Sequence, residues 1–181
     1  MTKTIIIIFL AVAMTVLLAA CAPKKTSGNM TGAKLAAILT KIDKVAEHDG
    51  SMVSFKVKDR ELVLVFDENA DRMRIMTPVA PAGSVSEDVY KRMLQANYDA
   101  VLDPRYAVAN DLIWAVFIHP LSSLTEEDFV SGVVQTVTAA ETFGSSYSSG
   151  VFVFGSGDSN ALHEELLQEL EEATGKKDKG I

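Results

Sequence analysis

The chain has 181 residues, with 17 Lys and Arg against 24 Asp and Glu and a formal net charge of −7, yet its mean hydropathy is +0.18. That length allows one domain with a self-sufficient core and leaves little room for two. Scattered basic residues in an acidic chain exclude a nucleic-acid phosphate backbone as partner, since such contacts need clustered Lys and Arg.

Ile5–Ala20 (IIIIFLAVAMTVLLAA) is one source of the positive hydropathy, and Thr15 is its only polar side chain. With Lys3 ahead of it, this run has the organisation of an export signal. A membrane-spanning helix fits less well, because at about 1.5 Å per residue the run covers only ~24 Å of a ~30 Å hydrocarbon layer. It ends in Leu18-Ala19-Ala20-Cys21, which holds the single cysteine.

This tetrapeptide resembles the lipobox of bacterial lipoproteins. The resemblance implies that Cys21 is acylated, that residues 1–20 are a signal peptide removed before it, and that the membrane is a partner through lipidated Cys21. Two or more acyl chains make such attachment effectively permanent. Ala22, where Asp would retain the protein in the inner membrane, implies the outer membrane, facing the periplasm. Cleavage removes only Lys3 among the charged residues, so the mature chain is one unit more acidic. A lone cysteine also excludes an intramolecular disulfide.

Residues 21–32 read as a lipidated tether rich in Lys, Ser and Gly, and residues 33–154 as the folded domain. Leu35, Ile38, Leu39, Ile42 and Val45 set a helical stripe over Ala33–Glu47, closed by His48-Asp49-Gly50. Three strands follow, Met52–Val57, Glu61–Phe66 and Arg72–Val79, joined by turn-type sequences as an antiparallel meander. Ser84-Val85-Ser86-Glu87 offers a capping box for a helix over Asp88–Ala100, with Val89, Met93, Leu94 and Tyr98 on its apolar side. Arg105–Ala109 and Leu112–Ile118 form a hairpin around Asn110-Asp111.

Thr125 caps a further helix with Glu126, Glu127 and Asp128 in its first turn, a staple of Leu124 and Phe129, and an end at Phe143-Gly144. A loop over Ser145–Gly150, an apolar run Val151–Phe154 and an amphipathic helix over Asn160–Thr174 complete the pattern. Residues 155–181 are thus a C-terminal helix with a polar tail. The class is α+β, an antiparallel sheet packed by helices in the order α-β-β-β-α-β-β-α plus that helix.

The order over residues 33–144 resembles the type III secretion chaperone fold and its YbjN-type relatives. The matching stretches are Leu94-Gln95-Ala96-Asn97-Tyr98, the strand pair around Tyr106-Ala107 and Leu112-Ile113-Trp114, and His119-Pro120-Leu121 before Leu124-Thr125-Glu126-Glu127. The resemblance implies a small acidic domain, often a homodimer, that binds an extended peptide of a partner protein without a cofactor.

The residues announce no catalytic site. His48, His119 and His163 stand apart with no metal-ligand spacing, so no metal is expected. Ser145–Gly150 lacks a nucleophile elbow, and Gly155-Ser156-Gly157 lacks the Gly-Lys-Ser/Thr of a phosphate loop. Arg72 and Arg74, spaced i, i+2, share one strand face, with Lys56 and Lys58 as candidates for the same side. They either receive a carboxylate-bearing peptide or lipid headgroups, or pair across strands with Glu61 and Asp71.

Leu62–Phe66 and Leu112–Ile118 do not alternate, although an antiparallel sheet exposed on one side should. One layer of helices covers one face, so the second needs the chain's own tail, a second subunit or a bound peptide. The expected function is a non-enzymatic, lipid-anchored peptide- or protein-binding module, chaperone-like, with Trp114, Phe117, Tyr106, Arg72 and Arg74 as its contact residues. The alternative is a structural assembly lipoprotein whose apolar surface makes a homodimer or an envelope complex.

Overall fold

The computed structural model describes residues 30–143 and 158–175. The expected signal peptide, Cys21, most of the expected tether, Gly144, the expected loop and apolar run over 145–154, and the expected polar tail lie outside the described residues. Thr31 caps α1 (Gly32–Ile42), its hydroxyl accepting the Lys34 N–H at 3.3 Å. The stripe of Leu35, Ile38 and Leu39 is buried as expected.

The helix stops well short of Glu47, and Val45 is 79% exposed. Asp43 is the reason. Its carboxylate accepts the backbone N–H of Val45 at 3.0 Å and of Lys56 at 2.8 Å, which bends the chain into a short extra strand, β1 (Glu47–Asp49).

The meander is β2 (Met52–Val57), β3 (Arg60–Asp67) and β4 (Arg72–Pro81). A 3-10 turn at Ala82–Ser84 leads to α2 (Glu87–Asp99). Ser84 does not cap this helix; its hydroxyl donates to the Pro81 carbonyl at 2.7 Å, and Ser86 takes the cap by accepting from Val89 N–H at 3.4 Å. The buried side matches the expected one only in part. Met93 faces the core as expected, joined by Ala96, while Leu94 and Tyr98 are 64% and 93% exposed.

β5 (Arg105–Ala109) and β6 (Leu112–His119) close on Asn110 and Asp111, both at positive φ (50° and 59°), as a two-residue type I′ connection requires. Thr125 and Asp128 form a reciprocal capping box on α3 (Glu126–Glu141), and Leu124 and Phe129 are both fully buried beside it. The last element is α4 (Asp158–Thr174).

The six strands form one antiparallel sheet in the order β1-β2-β3-β4-β6-β5. Its helix-facing residues include Val53, Phe55, Leu62, Leu64, Met73, Ile75 and Phe117, and they join Leu35, Leu39, Phe129, Val133 and Val137 in the main core. Leu166 and Leu170 of α4 belong to the same core, so the leucine stripe of the tail docks on the helix layer. Lys58 fixes it further, with Nζ 2.6 Å from Glu165. A second cluster sets Met93 and Ala96 of α2 against Tyr106, Ile113, Ala115 and the end of α3. Gly132 lets α3 approach closely, because a Cβ there would lie 2.5 Å from the Phe117 ring.

Candidate interaction surface

Strand alternation fixes the composition of the other face. The residues opposite the helices are Met52, Ser54 and Lys56 on β2, Glu61, Val63 and Val65 on β3, Arg72, Arg74 and Met76 on β4, Leu112, Trp114, Val116 and Ile118 on β6, and Arg105 and Ala107 on β5. Pairing aligns them in rows across the sheet. One row is Met52, Val65, Arg74 and Ile118; the next is Ser54, Val63, Met76, Val116 and Arg105.

None of the described helices lies on this side, and Ile118 is 54% exposed. Around Arg74 the surface sinks into a shallow depression of about 460 Å³ bordered by Val65, Asp67, Arg72 and Ile118. Among the described residues, then, the second apolar face meets no covering element, and α4 is spent on the helix side.

The sheet edges are treated differently from its face. On β5 the Tyr106 N–H donates to Asn97 Oδ1 at 2.7 Å, and Asn97 Nδ2 donates to the Tyr106 carbonyl at 3.1 Å. A side chain from α2 thus occupies the place of an added strand, and Pro104 offers no N–H just before it. At the opposite side, the Asp43 carboxylate takes the outward N–H of Lys56, beyond the end of three-residue β1. Short, stoppered edges do not accept an additional strand, and the open face is the larger free surface.

The five expected contact residues are divided by the sheet. Trp114, Arg72 and Arg74 lie on the open face. The indole N–H of Trp114 donates to the Ala109 carbonyl at 3.0 Å, which holds the ring toward the β5 side. Phe117 and Tyr106 point the other way and are both buried. Phe117 lies against Gly132, while the Tyr106 hydroxyl donates to the Ala139 carbonyl at 2.6 Å. They support the face from beneath and do not touch what lies on it.

Lys56 is on the open face, 3.3 Å from Glu61, whereas Lys58 turns to Glu165 of α4. In the cross-strand alternative for the arginines, Glu61 is taken by Lys56, while the Asp71 carboxylate is bonded by Ser122 and also feels the Arg72 charge. Ser122 Oγ and N–H donate to it at 2.6 and 2.7 Å and hold its pKa below the ordinary 3.8.

A cleft of about 650 Å³ opens on the helix side between the β2–β3 turn, α3 and α4. Its arginine is satisfied, with Arg60 Nε 2.6 Å from Glu141 and Arg60 Nη1 donating to the Pro78 carbonyl at 3.0 Å. Among the described residues no cluster of three or more His, Cys, Asp or Glu is placed to hold a metal, and His119 bonds through Nδ1 to the Pro120 carbonyl at 2.8 Å. No described helix is long and apolar enough to cross a membrane.

No protein-family model matches the chain, and comparison with curated proteins gives no match. Solved structures do match. A chain of the ExsC–ExsE complex superposes with a TM-score of 0.51 at 14% identity, covering 62% of this chain and 92% of that one. A chain of the HopA1–SchA chaperone–effector complex gives 0.48 at 12% identity, covering 60% and 91%. The Yersinia pestis type III secretion chaperone SycH in complex with a fragment of YscM2 gives 0.46 at 14% identity, covering 60% and 98%. At these identities the likeness to the ExsC–ExsE chain is one of fold, and it establishes the α+β architecture of an antiparallel sheet packed by helices.

Proposed function

We propose that the chain is a non-enzymatic, chaperone-like protein-binding module that holds a segment of a partner protein against the open face of its sheet. Acylated Cys21 anchors it to the outer membrane, facing the periplasm. The observation that carries the reading is the apolar surface of Met52, Val63, Val65, Met76, Val116 and Ile118, on a face that no described helix covers. Burying an exposed side chain of this size is worth roughly 1.5–3 kcal/mol. Three or four such residues supply a binding surface, and soluble monomers rarely leave one bare.

The stoppered edges favour the face over strand addition. The ExsC–ExsE complex, in which a chain of similar fold is found with another protein, supports a protein as the ligand class. On this reading Trp114, Arg72 and Arg74 touch the partner, and Phe117 and Tyr106 set the curvature beneath them.

The test is a photo-crosslinking amino acid in place of Ile118 in the full-length chain in cells. A discrete protein adduct is expected, with the same crosslinker in place of exposed Val45 as control. Adducts of equal yield from both positions, or none from Ile118, refute the reading. Cys21→Ser should release the chain from the membrane fraction, and its retention there would refute the anchor.

A second reading has its own support. Leu94, Tyr98 and Leu102 are exposed along the outer side of α2 and the turn after it, a stripe suited to a second copy of this chain. Sedimentation of Leu94→Lys/Tyr98→Lys against the parent chain tests it: a dimer reduced to monomer supports the homodimer, and a parent that is already monomeric removes it.

A further inference from the structure

Resting on the open-face reading, we infer that the partner segment carries a carboxylate beside its apolar side chains, and that Arg74 is the residue that receives it. Arg74 pairs in register with Val65 on one side and Ile118 on the other. Any segment that covers those two apolar residues therefore covers the guanidinium between them. Among the described residues Arg74 has no hydrogen bond and no ion pair. The neighbouring charges are occupied: Arg72 reaches the Asp71 carbonyl and stands in register with Asp67, Lys56 meets Glu61, and Arg105 bonds the Leu102 and Pro104 carbonyls.

Removing an unpaired charge from water is strongly unfavourable, whereas a carboxylate satisfies a guanidinium with two parallel hydrogen bonds. A purely apolar segment is thus penalised at the centre of the row, and a carboxylate-bearing one is selected. The same arginine that weakens indiscriminate hydrophobic association gives this surface its specificity.

The surroundings distinguish a single carboxylate from other anions. Asp67 and Asp71 lie at the same end of the sheet, and Asp49 stands opposite Met52. These acids repel the dense negative charge of an anionic bilayer and leave room for one carboxylate at Arg74. A second copy stacked face to face about an axis through the row would bring two Arg74 side chains together, which disfavours self-association on this surface.

The experiment is selection from a phage-displayed random peptide library on the full-length chain in dodecyl maltoside, followed by affinity measurement through Trp114 fluorescence. Enriched peptides should combine apolar residues with Asp or Glu. Arg74→Glu should weaken the best peptide at least tenfold, and a version with Lys replacing its acid should regain binding to Arg74→Glu. Arg74→Glu and a second variant, Ile118→Asp, both change exposed side chains, so unaltered thermal midpoints are required of them.

If Ile118→Asp abolishes binding while Arg74→Glu leaves it unchanged, the carboxylate inference falls and the open-face reading stands. If neither substitution alters binding, both fall. Selection of basic or uncharged peptides overturns the inference. So does Arg74-dependent binding to phosphatidylglycerol vesicles without enrichment of acidic peptides, which would assign the surface to lipid.

Discussion

Phe117 and Ile118 are adjacent on β6, and the structure gives them opposite circumstances: Phe117 is 4% exposed against α3, while Ile118 is 54% exposed on the bare side. Met73 and Arg74 repeat the contrast on β4. The two faces share strands, register and a largely apolar composition, yet among the described residues only one is packed by helices. Apolar character on the packed face is thus an account of stability, and on the open face, under the proposed function, an account of association. The same residue type therefore predicts opposite experimental outcomes on the two sides of one sheet.

The strongest way to break this comparison is to truncate the two neighbours. Phe117→Ala should cost about 3–5 kcal/mol in chemical denaturation, as a large aromatic removed from a packed core does. Ile118→Ala should cost under about 1 kcal/mol while weakening partner capture. Equal destabilisation by the two would mean that Ile118 is packed by the chain itself.

Gly132→Ala should come next. Its Cβ would collide with the Phe117 ring, and overpacking of this kind costs about 1–3 kcal/mol. A neutral outcome in the same denaturation assay would show that α3 sits less closely on the sheet than described.

Asn97→Ala removes both hydrogen bonds that stopper β5, with an expected loss of about 1–2 kcal/mol. It should also raise self-association by exposing the strand edge, which light scattering would detect. Unchanged stability and solubility would argue that the edge is protected in another way.

The smallest effect is acid dependence at Asp71. The Ser122 hydroxyl, then the Ser122 backbone N–H, lower its pKa, so its contribution to stability is present above the ordinary value of 3.8 and is lost as pH falls through the depressed folded value. Asp71→Asn should flatten that part of the stability profile below about pH 4. A profile identical to the parent's would dismiss the Asp71–Ser122 clamp.

Much of this architecture is legible in the sequence because its signals are local. The Thr125–Asp128 cap, the Asn110-Asp111 turn and the stripe of Leu35, Ile38 and Leu39 depend on neighbours within a turn or two. Legibility fails where a distant residue decides. Asp43 ends α1 by bonding Lys56, and Asn97 stoppers β5 by bonding Tyr106. An Asp directly after the last apolar helical position is a usable stop signal, whereas an Asn in the last turn of a helix does not announce a bond to a strand.

The non-alternating strands announced a second apolar face correctly but could not say which element covers which side. Nor could they separate Trp114 and Arg74 from Phe117 and Tyr106, because a shift of one residue in strand phase exchanges the faces. On α2 the apolar pattern identifies Met93 but not the exact rotation of the helix, since Tyr90 and Asn97 bond to Ala82 and Tyr106 and so turn Leu94 and Tyr98 outward.

Cysteine labelling addresses the central claim most directly. In a Cys21→Ser chain carrying Ile118→Cys, with export preserved by a cleavable signal peptide, maleimide reactivity is compared between the purified protein and intact cells, with Val45→Cys as the exposed reference. Rapid labelling of the purified protein at both positions, with protection in cells confined to position 118, is the expected result. Slow labelling at position 118 in the purified monomer would show that the chain covers its own second face, and equal labelling of both positions in cells would show that no partner does.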